Sequence, residues 1–387
     1  MTNEKQRLAD KLQQRYANIP RNRDKQCHQG VCPPRSHHRP GPRAIKTIIH
    51  TMQIFRGYQH PRRAPACALT IGNFDGVHRG HQAMLALLKS EAQHRGVPSC
   101  VMTFEPHPRD YFAAMAGKPL LAPARIATLR DKLTELARCG IDQCLVLPFN
   151  AELASQSAED FISEVLVSGL NAKYVLVGDD FCFGAKRRGD YAMLDAAGSR
   201  LGFDVARMNS YEVHGARVSS SLVRRAMAVG NMPEVASLLG RPYSISGHVV
   251  HGRKLGRDLG FRTLNLRFSH WNPAASGIFA VHVHGLSPQP LPGVANLGIR
   301  PSLNPADVNG GRVLLETYCL DWPASLGAEG GYGKIVRVEL LHKLHDELKY
   351  DGLDSLQEGI AKDCNDARTF FASMHSATGR QTTRDRI

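Results

Sequence analysis

The chain reads as an α/β unit built on a parallel sheet, followed by a small antiparallel six-stranded β-barrel closed by one C-terminal helix. Three observations predict this. From Ala66 to about Gly240 short apolar runs alternate with stretches of helical periodicity, the pattern of a parallel sheet with helices on both faces. From Pro242 six strand-like runs follow one another between Gly, Pro and Asn turns, as in an antiparallel barrel. Residues 353–374 then carry the period of a single helix.

The elements follow in order. Cys67-Ala68-Leu69-Thr70-Ile71 is a short buried strand, and from about His81 the run QAMLALL opens a helix that ends near Gly96. A strand at 100–104 completes one βαβ unit. A helix over 125–139 precedes a strand at 143–147. Ser157 with Asp160 resembles a capping box opening a helix to Val167. Tyr174-Val175-Leu176-Val177 is the next strand, Asp190 caps a helix to Leu201, and 203–208 is a further strand. The barrel strands are read at 243–250, 263–266, 277–284, 293–297, 312–319 and 334–342. Four regions result: a disordered basic leader at 1–51, an α/β domain at 52–240, a barrel domain at 241–374 and a polar tail at 375–387. No internal repeat is visible.

The bulk numbers bound the function. The 387 residues suffice for two or three domains, and 42% hydrophobic content builds ordinary cores. No apolar run approaches a membrane span. Nine scattered cysteines and no signal peptide imply reduced thiols in the cytoplasm. The net charge of +14 is lopsided, because 1–51 hold +8 of it. A basic chain invites a nucleic-acid reading, but the remaining +6 over 336 residues suits an enzyme of phosphorylated small molecules better. In the leader a short helix over 5–16 is one reading, and Cys27, His28 and Cys32 lack a second ligand pair at zinc spacing. Most of the leader is expected to be disordered; a targeting peptide and an extension ahead of a start at Met52 are the other readings.

The string GNFDGVHRGH (72–81) follows the first strand directly. Gly72, Gly76 and Gly80 permit a tight turn and close backbone approach. His78 and His81 fall where a helix start offers free N–H groups to a phosphate, and imidazoles there can donate to phosphoryl oxygens as charge develops. A lone histidine pair is more often structural, so the other strings decide. GDDFCFG (178–184), with Asp180, follows a strand and suits a nucleotide pocket, although an acidic capping loop would look alike. RVSSSLVR (217–224) sets Ser219, Ser220 and Ser221 at a helix start with Arg224 close by, a triphosphate clamp or simply an N-cap. FEPHP (104–108) is a rigid strand exit or a plain turn.

These strings, taken together, resemble the FMN adenylyltransferase module of bacterial bifunctional FAD synthetases, in order and in type. The general nucleotidyltransferases with HxGH usually carry Pro where this chain has Gly76, which points to the flavin branch. The second half resembles the riboflavin kinase module of the same enzymes. It carries GHVVHGRKLGRDLGF (247–261) followed by Arg262-Thr263-Leu264-Asn265, then GVANLGIRPS (293–302) and Leu315-Glu316-Thr317. Arg262 and Leu264 depart from the usual Pro-Thr-Ala-Asn, and His345 stands where an arginine often leads. The resemblance spans about 52–373.

What the resemblance implies is a Rossmann-like HxGH domain followed by a kinase barrel. The barrel would phosphorylate riboflavin from ATP, giving FMN. The first domain would join FMN to ATP, giving FAD and pyrophosphate. Catalysis would rest on His78, His81, Arg224 and Glu316, the last as the base for the ribityl hydroxyl. Gly72, Asn73, Phe74, Asp75, Gly76, Gly80, Asp180, Ser219, Ser220 and Ser221 would line the first site. Gly252, Lys254, Gly256, Gly260 and Arg300 would serve the second, with Thr263 and Asn265 on Mg²⁺. Partners are riboflavin, FMN, FAD and ATP, with neither nucleic acid nor membrane; oligomeric state stays open. The alternative is an FAD synthase whose kinase is impaired through Arg262. An aminoacyl-tRNA synthetase relative lacks support, since no Lys-rich second signature follows. A flavin oxidoreductase lacks the GxGxxG fingerprint after the first strand.

Overall fold

The computed structural model describes residues 51–384 except 210, 214, 252–260, 268–271, 301–311 and 328. The expectations for the leader and for Gly252, Lys254, Gly256 and Gly260 therefore lie outside the described residues.

The first half is a six-stranded parallel sheet of β1 (Gln53–Arg56), β2 (Cys67–Ile71), β3 (Ser99–Glu105), β4 (Gln143–Pro148), β5 (Ala172–Gly178) and β6 (Asp204–Met208), in the order β1-β4-β3-β2-β5-β6. Strands β2 to β5 are buried nearly throughout, as expected of strands covered on both faces. Helix α1 (Arg79–His94) follows β2, and α2 (Pro108–Met115) follows β3. Next come α3 (Leu129–Arg138), α4 (Ala151–Ser155), α5 (Ala158–Asp160) and α6 (Tyr191–Leu201). The chain moves outward from β2 through β3 to β4, then returns to the other side of β2 at β5. The crevice between the carboxyl ends of β2 and β5 is thus the topological switch point where such sheets bind ligands. Both glycine-rich strings leave the sheet there.

A two-stranded ribbon of β7 (Glu212–Val213) and β8 (Ala216–Arg217) leads into α7 (Ser220–Ala228) and α8 (Met232–Leu239). The second half is a closed barrel of β9 (Tyr243–Val250), β10 (Thr263–Arg267), β11 (Gly277–His284), β12 (Leu291–Arg300), β13 (Arg312–Cys319) and β14 (Ile335–His345), ordered β10-β13-β12-β11-β14-β9 with antiparallel pairs. Alternate residues fill its interior, among them Ile245, Leu264, Phe279, Leu297, Leu315 and Val338. Helix α9 (Leu353–Arg384) lays Cys364, Ala367 and Phe371 on the outer wall, against Ile278, Ala280 and Val294.

Several expected boundaries are corrected. The helix expected over 125–139 begins at Leu129, capped by Thr128, whose side chain accepts from the Asp131 N–H. Ile126 and Ala127 give their N–H groups to the Asp75 carboxylate instead, at 3.1–3.2 Å. Ser157 caps α5 as expected, but the helix continues as a π-helix over Phe161–Gly169. Strand β1 lies ahead of the first expected strand and was not foreseen; helix α9 runs past Met374 to Arg384. Helices α7 and α8 also share one apolar cluster with the barrel, so the division near 240 crosses a continuous core.

Candidate active sites

The first site grows out of the turn between β2 and α1. His78 is the N-cap of α1, and its Nδ1 accepts from the His81 N–H at 3.3 Å. That bond leaves the ring proton on Nε2, free to donate outward. The His81 ring stacks on His78 with centroids 3.7 Å apart and 14° between planes. Burial foremost lowers the His78 pKa to about 4, with Arg224 and Arg241 adding to it and Asp75 opposing. Burial also drives His81 well below its ordinary value, helped by His78 and Lys132. Both rings are therefore neutral donors near pH 7. His81 Nδ1 and Asn73 Oδ1 are buried and have no hydrogen-bond partner among the described residues, which marks both as groups that await a ligand.

The turn itself is strained. Phe74 and Val77, both buried, have φ of 49° and 42°, a region that costs non-glycine residues energy. Gly76 has φ +84°, and a Cβ there would stand 2.7 Å from Ile126 Cγ2. A Cβ at Gly80 would meet His78 Nδ1 at 3.2 Å and the Val218 carbonyl oxygen at 3.4 Å. Gly72 lies against the Phe74 ring.

Asp75 gathers the surroundings. It is 2% exposed and accepts from Arg224 Nη2 at 2.6 Å as well as from Ile126 and Ala127. Burial would raise its pKa, but Arg125, Arg224 and the two backbone bonds outweigh it and hold the carboxyl below its usual range. Ser220 Oγ donates to the Asp75 carbonyl at 3.1 Å, while Ser219 caps α7 by accepting from the Leu222 N–H. The N-termini of α1 and α7 thus converge, and neither carries an acidic residue in its first turn. Two helix dipoles with free N–H groups face one crevice, a strong anion seat. Arg224 also donates from Nε to the Ala124 carbonyl, so part of the expected phosphate clamp is already committed to the protein. Ser221 and Asp180 are exposed, and Asp179 and Asp180 both pair with Arg217, at 2.7 and 3.8 Å.

Sequence reasoning missed the groups one strand along the rim. Phe104, Tyr111, Phe112 and Phe149 form edge-on pairs at 5.5–5.8 Å at the carboxyl ends of β3 and β4. Phe112 is 53% exposed there, and Leu120 and Leu121, a few residues further along the chain, are 72% and 73% exposed. Only FEPHP hinted at this place: within it Glu105 is buried against Arg125 at 3.3 Å, and His107 caps α2.

The second site lies on the outer wall of the barrel. Glu316 of β13 stands directly between Asn265 of β10 and Asn296 of β12 in the strand register. The interior residues Leu264, Leu315, Leu297 and Ala295 alternate with these three, so all three occupy the outer face. Asn265 is 4% exposed, and both Asn265 Oδ1 and Asn296 Oδ1 are buried without a partner among the described residues. Thr263 shares this face two residues along. These hard oxygens fit a Mg²⁺ ion. Arg300 ends β12, and its side chain lies outside the described residues.

Comparisons with known proteins follow the same division. The family described as FAD synthetase matches residues 60–222, and that described as riboflavin kinase matches 239–371. A protein of Escherichia coli K12 named bifunctional riboflavin kinase/FMN adenylyltransferase is 44% identical over 322 residues, covering 83% of this chain and 98% of that protein. Proteins of the same name from Haemophilus influenzae and Pseudomonas fluorescens are 42% and 41% identical, each across 83% of this chain and 100% and 98% of their own length. A solved structure from Streptococcus pneumoniae, titled a macrolide-efflux protein, superposes with a TM-score of 0.62 at 26% identity, covering 82% of this chain and 98% of that one. Among the described residues no helix is long and apolar enough to cross a membrane.

Proposed function

The chain belongs to the family of bifunctional riboflavin kinase/FMN adenylyltransferases, and from that premise we propose how its residues divide the two reactions. It phosphorylates riboflavin to FMN with ATP and transfers the adenylyl group of a second ATP to FMN, giving FAD and pyrophosphate. The two family descriptions match residues 60–222 and 239–371, and the kinase match runs through Arg262.

In the α/β module an FMN phosphate oxygen attacks the ATP α-phosphorus as the bond to the β-phosphate oxygen breaks. No side-chain nucleophile is required, so the protein's work is alignment and charge stabilisation. His78 and His81 donate to the phosphates as neutral imidazoles. The free N–H groups of α1 and α7, with Ser219, Ser220 and the Arg224 donors not spent on Asp75 and Ala124, hold the β- and γ-phosphates. Asp75 fixes Arg224 and the turn. Asn73 and Asp180 line the nucleotide and flavin pocket. The exposed Phe112, beside Tyr111 and Phe149, offers the flat flavin ring a stacking surface. The observation that carries this reading is the stacked, neutral histidine pair at the switch point with an unpartnered buried nitrogen.

In the barrel Glu316 takes the proton of the ribityl 5′-hydroxyl as the γ-phosphoryl group moves. Asn265 Oδ1 and Thr263 would hold Mg²⁺, which when bound neutralises phosphate charge. Gly252, Lys254, Gly256 and Gly260, together with Arg300, would serve the nucleotide. Buried free cysteines suit a reducing cytoplasm.

The two sites are separable. His81→Ala is expected to abolish FAD formation from FMN and leave FMN formation from riboflavin; Glu316→Ala is expected to do the reverse. Chromatography of flavins formed from riboflavin, ATP and Mg²⁺ reads both steps, and one substitution stopping both would refute the division.

A further inference from the structure

Arg241 lies just past α8, inside the stretch matched as riboflavin kinase, 239–371. Its side chain works in the other module. Nη2 donates to the Gly76 carbonyl at 2.8 Å, and Nη1 donates to the carbonyls of Val77 and Leu239, each at 3.1 Å. Nε pairs with Glu135 of α3 at 3.0 Å. Gln82 of α1 completes the clasp, its Nε2 donating to Val77 at 2.9 Å and Leu239 at 2.7 Å. The geometry has a local cause. Gly240 ends α8 in the left-handed region at φ +73°, which turns the chain so that Arg241 reaches back over the turn.

Two of the three carbonyls it holds, those of Gly76 and Val77, belong to the strained part of that turn. Val77 is β-branched, fully buried and at φ 42°. Such a conformation persists only where the surroundings over-determine it. A trans peptide sets its C=O and N–H in opposite directions. Anchoring the Val77 carbonyl on Arg241 therefore aims the His78 N–H away from the clasp and fixes the backbone from which His78 caps α1. Arg241 also adds positive charge beside His78, in keeping with a neutral ring.

We infer that Arg241 is a positioning residue for adenylyl transfer, supplied to the FAD-forming site from the kinase side of the module boundary. This rests on the reading of the His78/His81 turn as the adenylyl-transfer site. Arg241 touches no reacting atom. It locks the turn so that the histidines and the start of α1 meet the phosphates in line.

The test uses the full chain. Arg241→Ala should lower kcat for FAD formation from FMN and ATP by about 10–100-fold, with KM for either substrate moving by less than about 3-fold, because alignment acts on the transition state. Riboflavin phosphorylation should stay within about 2-fold. Millimolar guanidinium, far below denaturing concentrations, should restore part of the lost rate. Arg241→Lys, which keeps the charge but cannot span two carbonyls and Glu135 with a planar fork, should fall between the two. If Arg241→Ala does not fold, Arg241→Lys carries the test through its loss of FAD formation with full kinase activity. FAD formation within about 2-fold of the parent in either folded variant overturns the inference. So does parallel loss of both activities without guanidinium rescue, which would make the arginine a general structural brace. His81→Ala, assayed alongside, separates the levels. If it leaves FAD formation intact, the site reading fails; if it abolishes FAD formation while Arg241→Ala changes nothing, the inference alone fails.

Discussion

At the scale of single residues, the α/β module holds His78, His81 and His107 uncharged. His78 is brought to about 4 and His107 to about 3, burial leading in both. An unfolded histidine titrates near ~6.5. Between those values the unfolded chain takes up protons that the fold refuses. The stability linked to these groups is full above about pH 6.5 and drains away as pH falls through the window. His81, held well below its ordinary value by burial, acts in the same sense. Asp110, raised by burial to about 6, acts in the opposite sense, as does Asp131: the fold holds their protons where the unfolded chain has released them. At about 1.4 kcal/mol per unit, the drops at His78 and His107 exceed the rise at Asp110. The thermal midpoint is therefore expected to fall between about pH 6.5 and 4.5. His107→Asn, which keeps an N-cap for α2, should make that fall shallower. A midpoint that is level or rises toward acid would show that these rings are not buried neutral.

At the scale of elements, the HxGH turn depends on its glycines as much as on its histidines. Gly76→Ala would put a methyl against Ile126 in a conformation that disfavours it. A cost of about 1–3 kcal/mol is expected, read as a lower denaturant midpoint, together with loss of FAD formation while FMN formation persists. Strands with continuous apolar runs, such as Leu69 and Val175 with their neighbours, are legible in the sequence, as are the caps Ser157 and Asp190; the serine run 219–221 marks a helix start without showing that Ser219 is its cap. What stayed hidden is non-local. Arg125, Ile126 and Ala127 have helical periodicity, yet Asp75, distant in sequence, captures the N–H groups of the latter two. Strand β1 escaped notice because Phe55 is its one buried residue, so no alternation exists to read. Both histidines and Glu316 announced themselves through motifs. Arg241 and the Phe112 cluster did not, since neither shows any spacing pattern.

At the scale of the whole molecule, the two modules are welded rather than strung together. Met232, Val235, Leu238 and Leu239 of α8 share a core with Tyr243, Ile245, Val338 and Leu340 of the barrel. Hydrogen bonds add to this, from the Arg125 N–H to the Asn272 carbonyl at 3.2 Å and from the Ser246 N–H to the Asp131 carboxylate at 3.2 Å. Burying such side chains contributes about 1.5–3 kcal/mol each. A barrel fragment beginning at Arg241 should accordingly melt at least ~5 °C below the barrel within the full chain, by calorimetry. An unchanged midpoint would mean that the shared core contributes little.

The kinase row Asn265–Glu316–Asn296 sits on the outside of strands whose other face is the packed interior. Odd and even positions of the same strands therefore answer to different demands. Libraries that shuffle Leu264, Leu297 and Leu315 among aliphatic residues of equal volume should yield many variants still able to make FMN. A single-residue insertion within β13, by contrast, would exchange lining for wall and silence that step outright.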